Sequence, residues 1–224
     1  MGRETLRLID QAAALNQISF DLQPKHSFYD SEEDRLHVPA FGAETSYDAS
    51  YAGIKQLEGE ILSFAIKMQS EQLTPEESAR LGQIIPSIRN AVHSAKSIKD
   101  THHDLRIFRE SINDRFNAFY GRFRTSVERF YFSLDGLRKA TSQTHAFELL
   151  VDLKSFSESL HAAMHADIYK EISQGQLEEK QISTLLNVNR ELYLSNQSLL
   201  DAIADAILDI DSARDYESLP AQQR

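Results

Sequence analysis

The side chains best suited to chemistry gather in one stretch, Asn90–Asp104, which carries His93, Lys96, Lys99, Asp100, His102, His103 and Asp104. Three readings compete there. Asp100 and Asp104 stand one helical turn apart and so share a face; with His103 they could ligate a hard cation or iron. Lys96 and Asp100 have the same spacing and could instead pair with each other, for a few tenths of a kcal/mol. His102 falls on an apolar seam, where it would be a neutral, hydrogen-bonded core histidine. His103-Asp104 also matches the dipeptide of metal phosphohydrolases, which would need further His and Asp ligands from other helices.

Two other groups have ligand-like spacing. His161 and His165 are four apart with Glu158 one turn earlier, which suits zinc. The Ala-Ala-Met between them lacks the glutamate of a metalloprotease helix. Two solvent-facing histidines beside the seam are the plainer reading. Asn189 and Asn196 occupy seam positions, and a buried asparagine fixes register or pairs with another polar group. With Asn187, Arg190 and Glu191 they could form a polar cluster between helices. No phosphate-binding glycine loop, nucleophile elbow or Ser/His/Asp arrangement is present.

These residues must be held by helices. The chain has 224 residues, with only 8 glycines and 5 prolines, and no proline between Pro86 and Pro220. A first, weaker helix is predicted over 3–20, within an N-terminal segment 1–22. Residues 23–46 read as a loop, acidic at Asp30, Glu32, Glu33 and Asp34, and disordered by composition. A second helix, 48–72, has the seam Ile54, Leu57, Ile61, Phe64, Met68, a coiled-coil spacing. Thr74-Pro75-Glu76-Glu77 is a capping box that opens a third helix, 74–109, which Pro86 should kink or divide.

A fourth helix, 111–140, carries Ile112, Phe116, Phe119, Phe123, Val127, Phe130, Leu134 and Leu137. This row of aromatic residues has core spacing. A fifth, 144–173, carries Ala146, Leu149, Leu153, Phe156, Leu160 and Ala163, and its stripe weakens where the next seam place falls on Asp167. Gly175 suits its stop. A sixth, 177–212, carries Ile182, Leu185, Asn189, Leu192, Asn196, Leu199, Ile203, Ala206 and Ile210. Residues 213–224 read as a frayed tail. The fold class is all-α: six long helices, arranged as two three-helix units in which the third and sixth are equivalent.

Composition excludes several functions. With 24 Lys+Arg against 34 Asp+Glu, the formal charge is −10, which argues against a nucleic-acid partner. There is no cysteine, so thiolate metal sites, disulfides and thiol catalysis are out. No apolar run approaches the ~20 residues of a membrane-spanning helix.

The stretch Ser87–Leu105 (SIRNAVHSAKSIKDTHHDL) resembles the PhoU-like cytoplasmic domain of bacterial sodium/phosphate cotransporters. So do Tyr51–Lys67 (YAGIKQLEGEILSFAIK) and Ser183–Leu192 (STLLNVNREL) with Ser195-Asn196. The likeness runs in order over roughly 48–211. It implies a PhoU-like six-helix bundle of two three-helix repeats, without enzymatic activity, serving phosphate transport or its regulation. It further implies a place on the cytoplasmic side of the inner membrane. The partner would be a membrane transporter half, in the same polypeptide or separate, with a second copy of the chain as a further partner.

PhoU proteins hold iron or zinc clusters through Glu-x-x-x-Asp on the third helix of each repeat. Aligned here, Lys96 stands at the Glu and Asp100 at the Asp; in the second repeat the places fall near Tyr193 and Gln197. The Lys96–Asp100 pair then looks like a charge-neutral substitute for a metal site. If iron or zinc binds at this degenerate site, Asp100, His103 and Asp104 are the candidate ligands. Asn90, Lys96, Asn187, Asn189, Arg190 and Asn196 are the polar residues that the likeness marks. A free-standing metal-binding regulator of phosphate uptake signalling is the alternative.

Overall fold

A computed structural model describes residues 2–24, 47–175 and 177–219. The described residues are all-α: α1 (Gly2–Ile18), α2 (Tyr47–Gln69), α3 (Pro75–Glu110), α4 (Asp114–Leu134), a 3-10 turn (Asp135–Lys139), α5 (Gln143–Ser173), α6 (Glu179–Ile207) and α7 (Ile210–Glu217). Most of the loop expected over 23–46 and the end of the tail lie outside the described residues. Among the described residues no helix is long and apolar enough to cross a membrane.

Helices α3 and α6 share the largest interface and form the centre. Ser87 Oγ donates to the Ala202 carbonyl at 2.7 Å, and Ser94 Oγ lies 3.0 Å from Ser195 Oγ. Along α3 the contacts advance one heptad while along α6 they retreat one heptad, so the pair is antiparallel. Small side chains at the crossing let the backbones approach. Helices α1 and α2 pack on α3, α5 packs on α6, and α4 bridges α3 and α5.

Local signals act as the sequence suggests at several ends. Thr74 Oγ1 accepts from the Glu77 amide, while the Glu77 carboxylate accepts from the Thr74 amide. Asn113 caps α4 by accepting from the Arg115 and Phe116 amides. Phe116, Phe119, Phe123, Phe130, Leu134 and Leu137 are all buried, as core spacing requires.

Other expectations need correction. Helix α3 is not divided at Pro86 but runs on through it; Ser87, Ile88 and Ala91 just after it are fully buried, which favours keeping the helix despite the lost hydrogen bond. The fourth helix starts at Asp114 rather than 111, leaving Ile112 fully exposed, and ends at Leu134 before the 3-10 turn. The sixth helix ends at Ile207, because Leu208 is extended and Asp209 caps a new helix by accepting from the Ser212 amide. Residues 213–217 therefore belong to α7, with Ala213 and Tyr216 buried, and are no frayed tail. The first helix is not weak: Leu8, Ile9 and Ala12 are fully buried within the core.

The C-terminal turn of α1 is pinned by Asp21, whose φ of 54° is left-handed. Arg109 donates to both Asp21 oxygens at 2.9 and 3.1 Å, and Tyr120 OH donates at 2.6 Å. Burial alone would push the Asp21 carboxyl up, but the bonds from Tyr120 and Arg109 outweigh it and hold it below its usual value. The resulting stability is present above the ordinary carboxylate range and is lost as pH falls through the lowered value. Arg109→Met is expected to cost about 0.5–1 kcal/mol at pH 7, given the pair's exposure to water. Urea titrations of both proteins should converge as pH falls through the lowered Asp21 value; a difference that stays constant across the acid range would assign the loss to packing alone.

Candidate functional site

The central pair divides the sequence-marked residues among three places. On its exposed face, Lys96 Nζ donates to the Asp100 carboxylate one turn on. That bond pushes the lysine up from its ordinary value, and Glu191 on α6 adds to the effect. Arg190 donates to Asn187 Oδ1 and to Glu191 Oε1, each at 2.8 Å. Lys96 with Asp100 on α3 and Arg190 with Glu191 on α6 thus form two ion pairs, a charge strip in which the Glu191 charge reaches Lys96 across the helices. His103 is exposed and Asp104 half-buried on α3. Among the described residues, no group of three or more His, Asp or Glu side chains is arranged to hold a metal ion. Asp100, which would have been a ligand, is occupied by the lysine.

His102 is not a hydrogen-bonded core histidine. It is half-buried, its Nδ1 has no partner, and its ring stacks on Tyr47 with centroids 4.1 Å apart. Burial, then the nearby Arg109 charge, pushes its pKa down, so it stays neutral at pH 7.

The second place is the interior between α4, α5 and α6. Asn189 and Asn196 are buried there and line a small cavity with Phe123, Ser157, His161, Met164 and Tyr193. Asn189 Nδ2 donates to the His161 carbonyl at 3.1 Å, tying α6 to α5. His161 does not face solvent as expected: it stacks on Tyr193 with centroids 4.7 Å apart, while His165 is exposed against Tyr169. These contacts are structural in kind. Tyr193 and Gln197, near which the resemblance would put a second motif, supply no carboxylate.

The third place is a groove, open to water, between α3, α6 and α7. Asn90 lines it with Gly82, Pro86, Asp201, Asp205, Tyr216 and Glu217. Burial, then the charges of Asp201 and Glu217, pushes the Asp205 carboxyl up to about 7. Burial also raises Asp201, against the pull of Lys154. Tyr216 is 1% exposed and its hydroxyl has no hydrogen-bond partner. Burial, then Asp201 and Glu158, pushes that phenol far up, so it stays protonated. Above the groove, Arg80 donates to the carbonyls of Ala206 and Leu208 at 2.7 and 3.0 Å and caps the end of α6.

The sequence marked only Asn90 in this groove. Asp201 and Asp205 drew no reading, because nothing local shows that α7 folds back over them. No family model, curated protein or solved structure matches the chain.

Proposed function

We propose that the chain is a PhoU-like helical domain of a sodium-dependent phosphate transporter. It acts without catalysis, by packing against the cytoplasmic side of the transporter's membrane half and biasing its conformational equilibrium. One observation carries this reading. Two of the segments that resemble the family, Ser87–Leu105 and Ser183–Leu192, lie far apart in sequence but on the two helices of the central antiparallel pair. Three helices precede and include the first segment; three more lead up to and include the second. A third helix meeting a sixth is the arrangement that two three-helix repeats would require.

The charge strip on that pair supports a mechanical role. Lys96 supplies internally the positive charge that a metal would bring between α3 and α6, so the face needs no ion to be neutral. Such a face can contact a membrane partner differently in its two states, which is what coupling demands.

Binding of the chain to the cotransporter membrane half in lipid nanodiscs tests this. Affinity is expected to differ between sodium-plus-phosphate and phosphate-free conditions. Equal affinity in both, or no binding, contradicts the reading. A second result is expected from Lys96→Glu, which sets three carboxylates, with Asp100 and Glu191, on one face. That variant should retain iron or zinc through gel filtration where the parent chain does not. Stoichiometric metal in the parent chain, lost in Asp100→Ala, would support a metal-binding regulator instead.

A further inference from the structure

We propose that α7 is a pH-sensitive clasp on the α3–α6 pair, held shut while Asp205 carries a proton and opening more readily once Asp205 is ionised. The inference goes beyond the transporter reading and does not depend on it. The joint comes first. Leu208 is extended and Asp209 caps α7 by accepting from the Ser212 amide. Helix α7 is therefore joined to α6 by a break at Leu208 and Asp209 rather than by continuous helix. A backbone break of this kind lets two helices move as separate bodies.

The hold across the joint is small. Within α7 only Ala213 and Tyr216 are buried. Tyr216 lies edge-on to Phe147 of α5, ring centroids 6.4 Å apart, with Lys154 Nζ 5.1 Å from its ring. Leu219, just past the helix, is half-buried against the core. A short helix with so little apolar contact belongs to the parts of a fold that open locally before the rest.

Charge opposes that hold. Asp201 and Asp205 on α6 and Glu217 on α7 line the same groove. Closing α7 therefore brings carboxylates from two helices together and takes water away from Asp205. The nearby cations are engaged elsewhere. Arg80 of α3 donates to the Ala206 and Leu208 carbonyls, and Arg214 of α7 pairs with Asp211 at 3.6 Å. Lys154 of α5 sits over Tyr216 and faces Asp201. Glu158 of α5 adds a further negative charge near Tyr216. In the closed state burial, then the Asp201 and Glu217 charges, raises the Asp205 carboxyl to about 7, against an ordinary 3.8. An acid that is raised only when α7 is closed favours closure while it is protonated. That advantage is complete below the ordinary value, shrinks as pH climbs toward about 7, and changes no further above it.

Hydrogen–deuterium exchange of the whole chain, read by mass spectrometry and corrected for the intrinsic pH dependence of exchange, tests the proposal. The opening constant of the amides in 213–219 is expected to rise roughly tenfold or more between pH 5 and pH 8. At pH 8 those amides should also open roughly tenfold or more above the level of amides in Ser87–Leu105. In Asp205→Asn, which has no charge to lose or gain, the rise should shrink at least about threefold. An opening constant in the parent chain that does not change with pH, the same rise in Asp205→Asn, or equal opening of α7 and Ser87–Leu105 at pH 8 would overturn the proposal.

Discussion

Ser94→Leu is expected to cost about 3–5 kcal/mol of stability, the largest loss we expect from any single polar position. Ser94 is 0% exposed at the crossing of α3 and α6. Its hydroxyl accepts from Asn16 Nδ2 at 2.9 Å, and the same amide reaches Ser195 Oγ at 3.0 Å. Ser195 Oγ also donates to the Ser94 carbonyl at 3.0 Å. Three helices are thereby joined at one buried polar point. A leucine there adds volume where backbones are close, which costs about 1–3 kcal/mol. It also removes a partner from a buried amide, at a further ~1–3 kcal/mol. Ser94→Ala removes only the hydrogen bonds and should cost about 1–2 kcal/mol. Urea denaturation of both variants separates the effects. Equal losses would mean that the crossing has room to spare.

Asp205→Asn is expected to act in the opposite direction and to stabilise the protein. The folded-state carboxyl titrates at about 7, well above the 3.8 of a free aspartate. A raised acid binds a proton more tightly when folded, so ionisation costs the folded state stability. The cost is absent below the unfolded value, grows between about pH 4 and 7, and is constant above that range. An amide of the same shape avoids it. Allowing for the side chain's partial exposure to water, the gain at pH 8 should be about 1–2 kcal/mol. Melting temperatures from pH 4 to 8 provide the check. A gain that does not fade toward pH 4 would mean that ionisation of Asp205 is not its source.

Much of this architecture is legible in the sequence, and two helices show how a seam reading slips by one residue. The seam of α2 was read with coiled-coil spacing onto Phe64, yet Phe64 is 52% exposed and Ala65 is buried. The seam of α5 was read onto Ala163 and Asp167, yet Met164 and Ile168 are buried. In α2 the buried positions Ile54, Leu57, Ile61 and Ala65 lengthen their spacing toward that of a straight helix, which drifts about 20° per heptad from a 3.5-residue repeat. In α5 the buried line Ala146, Leu150, Leu153, Ser157, Leu160, Met164 keeps the heptad spacing, and the reading instead took the neighbouring residue at Leu149, Phe156 and Ala163. Asp167 instead faces Arg122 on α4, 3.5 Å away.

The site was partly legible for a different reason. Lys96–Asp100 is a contact within one helix, so spacing alone predicts it. Arg190 with Asn187 is equally local. Asn189 and Asn196 were rightly placed on the seam, but which helix they meet depends on packing. The groove was beyond reach because it needs three elements, and the shortest, α7, has only Ala213 and Tyr216 as an apolar face. Two apolar residues in a polar tail do not announce a helix. The buried serines of the α3–α6 crossing, Ser87, Ser94 and Ser195, drew no reading because a hydrophobic pattern gives serine no weight. Their heptad spacing was the available signal.

The central claim is that this helical bundle alters sodium-driven phosphate transport by contact rather than by chemistry. The most direct measurement is radiolabelled phosphate uptake, with and without sodium, in cells whose gene lacks the region coding for residues 48–212. The account predicts that the sodium-dependent component changes its rate or its dependence on phosphate concentration, while sodium-independent uptake stays as it was. It predicts further that the intact region restores the parent behaviour without added metal. Sodium-dependent uptake identical with and without the region, at every phosphate concentration, would contradict it.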